Sequence, residues 1–240
     1  MLDQLPDVLS RAASAGVERI ITIGTDIEDD QAAIALCQGR PNLRCVIGIH
    51  PNYSHEAEFE DLARLRQLQR DPSVVALGET GLDYFHNFAD RNRQRQFFEA
   101  QLQMARELNR PVVLHSREAI DDTLAILKNF PEVPALFHSF TGTLDESKRI
   151  ADAGYLIGFT GPVTFKKNDA LREAARNLPR DRAVVETDAP YLTPEPMRKQ
   201  KTNEPAMVIH VAAAIAKEWG MTAEEADRIT TANAERFFRL

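Results

Sequence analysis

VVALGETGLDYFHNFADRNRQRQFFEAQLQMARELNRPVVLHSR, residues 74–117, reads as a strand, a helix and a second strand. The apolar run from Val74 lacks polar alternation, as expected of a parallel strand covered on both faces. Residues 91–108 place Phe97, Leu102, Met104 and Leu108 near one helical stripe. The run VVLH from Val112 then returns as a short strand.

The same alternation extends outward in both directions. Further β-branched or apolar runs are RIITIG (from Arg19), CVIGIH (from Cys45), ALFH (from Ala135), YLIGFT (from Tyr155) and AVVETD (from Ala183). Residues 117–129, 144–153 and 168–178 read as amphipathic helices, and Gly16, Gly154 and Gly220 stand where C-terminal caps belong. Seven strands alternating with helices argue for a parallel α/β sheet, closed or open. No Pro- or Ser-rich linker interrupts it, so a single domain is expected over residues 1–240. The chain begins in a helix, with Leu2, Leu5, Val8, Leu9 and Ala12 at helical spacing. A closed barrel of this kind needs eight strands. The one expected before that helix is missing.

Composition bounds the function. With Lys+Arg 29 against Asp+Glu 36, the net charge of −7 argues against a module that coats duplex DNA by charge alone. It leaves room for an enzyme that takes nucleic acid into a local site containing cations. No apolar run approaches the ~18 residues that span a bilayer, and MLDQLPDVLS does not read as a signal peptide. Cys37 and Cys45 are expected as reduced thiols in a cytoplasmic protein.

Polar residues close several of the apolar runs: His50, Glu79, His115, His138 and Asp188. In a barrel, the C-terminal strand ends converge on one face, where chemistry is placed. Each alone has a plain alternative, a backbone hydrogen bond for a histidine or a helix cap for the aspartate. Together, imidazoles and carboxylates without thiolate suit Zn²⁺, Mn²⁺ or a similar ion, with Mg²⁺ where oxygens dominate. Glu186 shares the strand parity of Asp188 and reads as a buried ion-pair partner. Arg117, beside His115, is a candidate for neutralising a phosphate, its alternative being a surface salt bridge. Tyr84 is a candidate for stacking on a base, its alternative being packing. Arg91, Arg93 and Arg95 read as a solvated helix face, whereas Arg198, Lys199 and Lys201 are the better candidates for backbone phosphate contacts.

GETGLDY (78–84), PVVLHSR (111–117), FHSFTG (137–142), GPVTFKK (161–167), ETDAPYL (186–192), NEPAMV (203–208) and ITTANAERFF (229–238) together resemble the TatD family of metal-dependent deoxyribonucleases. The likeness runs from Val17 onward. It implies a TIM-type (β/α) barrel of the amidohydrolase kind, with seven of its eight strands visible here. It implies one or two divalent cations (Mg, Mn or Zn), with Glu79, His115 and His138 as ligands. Asp188 would contact a metal and orient or deprotonate the attacking water, and His50 would touch substrate. The implied substrate is single-stranded DNA, with neither membrane nor obligate protein partner.

Two departures stand out. The family opens with a strand ending in a His-x-His pair, and no histidine precedes His50. Because loss of a strand would expose a sheet edge, a start set too late is the expected cause. Where the family often has His-Arg-Gly-Lys, this chain reads Met197-Arg198-Lys199-Gln200-Lys201. Two alternatives accompany the nuclease reading: an amidohydrolase-like enzyme on esters, amides or lactones, and a metal-binding protein impaired by the missing pair.

Overall fold

The computed structural model describes residues 4–240. In chain order the elements are α1 (Leu5–Ser14), β1 (Ile20–Ile23), α2 (Ile27–Cys37), β2 (Leu43–Ile47), α3 (Phe59–Leu68), β3 (Val74–Asp83), α4 (Arg91–Leu108) and β4 (Val112–Arg117). There follow α5 (Ile120–Leu127), β5 (Ala135–Phe137), α6 (Leu144–Asp152), β6 (Leu156–Phe159), α7 (Asp169–Asn177), β7 (Ala183–Val185), α8 (Val208–Trp219) and α9 (Ala223–Phe238). This is the alternation of a TIM-type (β/α) fold, with seven strands among the described residues. Each anticipated strand is present, and Leu2 of the anticipated first helix lies outside the described residues.

Two compact units are distinguished: Arg19–His138 with Phe237–Arg239, and Ser139–Arg236 with the residues up to Glu18 and Leu240. In the first, β1 to β5 pair in parallel, Ile20 opposite Leu43 and Val112 opposite Ala135. In the second, β6 and β7 pair in parallel, Ile157 opposite Ala183. β3 is buried at every position, which its apolar run before Gly78 permits.

α4 follows the anticipated 91–108 and turns Phe97, Phe98, Leu102, Met104 and Ala105 inward. Asp90 caps its start by accepting from the Asn92 and Arg93 amides, and Asn109 ends it in the left-handed region. Gly220 caps α8 at φ 67°, while Gly16 and Gly154 each follow their helix's last capping residue at positive φ.

The helix expected over 117–129 is shorter, for a local reason. Arg117 completes β4 opposite Asp83. Glu118 then takes φ 53°, a left-handed conformation that no right-handed helix can include.

Gly81 lies in β3 opposite His115, at φ 131°, where an added Cβ would stand 2.1 Å from the His115 carbonyl oxygen. Both strain and crowding therefore oppose any side chain. Gly81→Ala is expected to destabilise the fold by about 3 kcal/mol or more, read from urea-unfolding midpoints; an unchanged midpoint would contradict this close approach of β3 and β4.

Candidate active site

Side chains alternate direction along a strand, so Glu79, Gly81 and Asp83 share one face of β3. The small Gly81 leaves that face open opposite His115 of β4. The His115 ring spans the gap, its Nδ1 3.0 Å from Glu79 Oε1 and its Nε2 2.9 Å from Asp83 Oδ2. His50, just beyond β2, is buried, with its ring centroid 4.5 Å from that of His115. The Asn52 amide donates to His50 Nδ1 at 3.1 Å, and His50 Nε2 stands 3.8 Å from Glu79 Oε1.

The supports of this cluster are themselves hydrogen-bonded. Gln101 of α4, fully buried, accepts from the Ile49 amide at 2.8 Å and donates to the Ile49 carbonyl at 2.9 Å and to Thr80 Oγ1 at 2.7 Å. It thereby ties the segment entering His50 to β3. Asp83, fully buried, accepts from the amides of Phe85 (3.0 Å) and His86 (2.9 Å), from the Asn52 side chain (3.3 Å), and faces His86 Nδ1 at 2.8 Å. The His138 amide donates to the Leu114 carbonyl at 2.9 Å, which, with Phe137 opposite Leu114, sets His138 just past β5 and level with His115.

Burial alone would neutralise these groups; it prevails at His50, whereas at His115, Glu79 and Asp83 their mutual charges and hydrogen bonds decide otherwise. Burial pushes His50 down to about 4, against the pull of Glu79. For His115, burial is overcome by its contacts with Asp83 and Glu79, which raise it to about 9. Burial also opposes ionisation of Glu79, yet the charges of His138, His115 and His50 hold it well below the usual carboxylate range. Asp83 is held low in the same way, by His115 and the His86 amide and ring against its burial. The two buried carboxylates thus depend on the surrounding imidazoles, with His115 bridging both. A divalent cation would offer the same compensation. His50, Glu79 and His115 each present one ligand atom, all within 4.8 Å of one another, and this nitrogen-and-oxygen set fits a borderline or hard divalent ion.

The sequence-derived candidates are therefore distributed as follows. Glu79 and His115 are in direct contact. His50, expected at the substrate, lies beside them and presents a further potential donor atom. His138 is half-buried, and its charge acts on Glu79 and His50. Asp188 belongs to the other unit. It lies three residues past β7 at φ 60°, its carbonyl accepting from the Tyr191 amide at 2.8 Å. Its loop is stapled by the buried Asn203, whose side-chain amide donates to the Thr187 and Tyr191 carbonyls, each at 2.7 Å. In the same unit the Glu186 carboxylate occupies the space that a side chain at Gly158 would fill.

Tyr84 has contacts of its own in the same unit. Its hydroxyl donates to Asp122 at 2.6 Å and the Arg91 guanidinium lies 4.1 Å from its ring centroid. Burial and Asp122 push the phenol up to about 12. Arg117 is exposed and stands 4.3 Å over the Phe85 ring. Sequence reasoning overlooked Asp83 and His86. The signal for Asp83 was present, since it stands in the same motif as Glu79 at an even spacing.

The TatD-related DNase family pattern matches residues 2–239. The chain is 37% identical over 238 residues to YabD of Bacillus subtilis (strain 168), named an uncharacterized metal-dependent hydrolase, covering 98% of this chain and 93% of that protein. It is 39% identical over 241 residues to the 3'-5' ssDNA/RNA exonuclease TatD of Erwinia billingiae (strain Eb661), covering 97% and 92% respectively. The crystal structure of YJJV, a TatD homologue from Escherichia coli K12, superposes with a TM-score of 0.93 at 30% identity, over 99% of this chain and 93% of that one. With strand order, buried carboxylate–imidazole cluster and whole-length similarity in agreement, the chain belongs to the TatD-related DNase family of metal-dependent hydrolases.

Proposed function

We propose that this chain, as a single hydrolase domain over residues 1–240, cleaves phosphodiester bonds of single-stranded nucleic acid with the aid of one or two divalent cations (Mg, Mn or Zn). The observation that carries this reading is the buried array Glu79–His115–Asp83 with His50 alongside. Glu79 and His115 are the central holding residues, His50 is the nearest further donor, and His138 completes the imidazole set. When bound, a divalent cation lowers the pKa of water and polarises a phosphoryl oxygen.

The chain's own groups supply the rest. Asp83 grips His115 Nε2, which fixes the ring with Nδ1 toward Glu79. The Asn52 amide occupies His50 Nδ1 and leaves Nε2 turned the same way. Asp188, assigned from its motif and its place beyond β7, orients the attacking water and accepts its proton. Arg117 offsets phosphate charge, and Arg198, Lys199 and Lys201 contact the sugar–phosphate chain. No helix among the described residues is long and apolar enough to cross a membrane. The free, buried thiols of Cys37 and Cys45 support a cytoplasmic setting.

The test is cleavage of a labelled single-stranded oligonucleotide by protein treated with EDTA and then given back Mg²⁺, Mn²⁺ or Zn²⁺. Activity should vanish on chelation and return with at least one ion. Hydrolysis that persists in EDTA would contradict the proposal, as would ester hydrolysis without nuclease activity.

A carboxylate bonded to the far nitrogen of a metal-binding imidazole is worth about 10–100-fold in metal affinity. Asp83→Asn is therefore expected to weaken metal binding by about that factor, measured by competition with a chromophoric chelator. Unchanged affinity would show that Asp83 does not act through His115.

A further inference from the structure

The loop between β3 and α4 carries three rings beside the cluster, and nothing in the hydrolytic chemistry uses them. Phe85 and Phe88 are 51% and 60% exposed. Between them lies His86, edge-on to Phe85 at 4.8 Å and stacked on Phe88 at 5.4 Å with an interplanar angle of 15°. The Arg117 guanidinium lies 4.3 Å over the Phe85 ring. The group is anchored from below, because Asp83 accepts from the Phe85 and His86 amides and faces the His86 ring at 2.8 Å. The same Asp83 carboxylate holds His115.

Two features distinguish this patch from scattered surface apolar residues, which need no explanation. The rings contact one another, and they are connected through one buried side chain to the candidate active site. Flat rings, Phe85 and Phe88 each about half exposed, beside a cation match a nucleobase next to its phosphate. Stacking of that kind tolerates any base, because every base has a π face.

We propose that Phe85, His86 and Phe88 form a stacking platform for the bases of single-stranded nucleic acid held at the adjoining hydrolytic centre, with Arg117 meeting the phosphate. The proposal rests on the nuclease reading and specifies how that site grips its substrate. The platform selects unpaired strands, since bases inside a duplex keep their faces covered.

The experiment compares KM for a ten-residue single-stranded oligonucleotide with KM for the same sugar–phosphate chain bearing abasic residues throughout. Wild-type protein should favour the base-bearing chain by about five- to a hundredfold per stacked base. In the Phe85→Ala/Phe88→Ala variant that ratio should fall toward one, and in Phe85→Tyr/Phe88→Tyr it should be retained, with thermal melting confirming that each variant is folded. A wild-type ratio near one, or an Ala variant that cleaves with the wild-type ratio, would overturn the platform and leave the nuclease reading standing. Light scattering that shows the Ala variant losing self-association, with the KM ratio intact, would reassign the patch to contact between copies and also overturn it. Failure of wild-type protein to cleave either chain with any of the three ions would remove the nuclease reading and the platform together.

Discussion

Glu79→Gln should lower the turnover of single-stranded oligonucleotide on the order of 10³-fold. Glutamine keeps the volume and one acceptor oxygen, so β3 is left undisturbed. What it removes is the charge at the middle of the cluster. Glu79 Oε1 faces His115 Nδ1 at 3.0 Å and His50 Nε2 at 3.8 Å, and in the proposed site it is the group through which the imidazoles and a cation would meet. Without it, Asp83 is the one carboxylate among the described residues left in contact with His115, on the nitrogen away from His115 Nδ1. Bound metal should fall with the rate. A Glu79→Gln protein that folds, holds wild-type metal and retains wild-type turnover would dismiss Glu79 from the chemistry.

Asp188→Asn should lower kcat by about 10²–10⁴-fold, the range for a general base in proton transfer. The amide keeps the size of the carboxylate but cannot accept the proton of the attacking water. KM should change little, because the group is assigned to the reacting water and not to the oligonucleotide chain. Folding should also be unaffected, since the loop is held by Asn203 bonding to the Thr187 and Tyr191 carbonyls. Steady-state kinetics on metal-replete protein separates the outcomes. A loss confined to KM, with kcat preserved, would recast Asp188 as a substrate contact.

Much of the fold is legible in the residues, because parallel strands covered on both faces leave short unbroken apolar runs. What is harder to read lies where glycine and turn chemistry override that signal. β3 continues through Gly78 and Gly81 to Asp83, although two glycines in four residues ordinarily mark the end of a strand. The early ending assigned to β3 concealed Asp83, and with it the bridge to His115 and His86. Tyr84 is the residue just past the extended strand, and its hydroxyl meets Asp122 while Arg91 lies over its ring. Glu118 is the converse case, where a helical pattern gives no sign of the left-handed residue that delays α5 to Ile120. The expectation of His50 at the substrate came from a motif position. Its contacts with Glu79 and His115 come from the return of β2 beside β3, which depends on pairing across the sheet and on Gln101.

Anomalous scattering from a Mn²⁺- or Zn²⁺-soaked crystal addresses the central claim most directly, since it locates the ion without reference to activity. The expected result is a peak within about 2.0–2.3 Å of a Glu79 carboxylate oxygen and a His115 ring nitrogen, with Asp83 still on the opposite nitrogen. A fully occupied ion bound elsewhere, with the Glu79–His115–Asp83 array intact and metal-free, would contradict it.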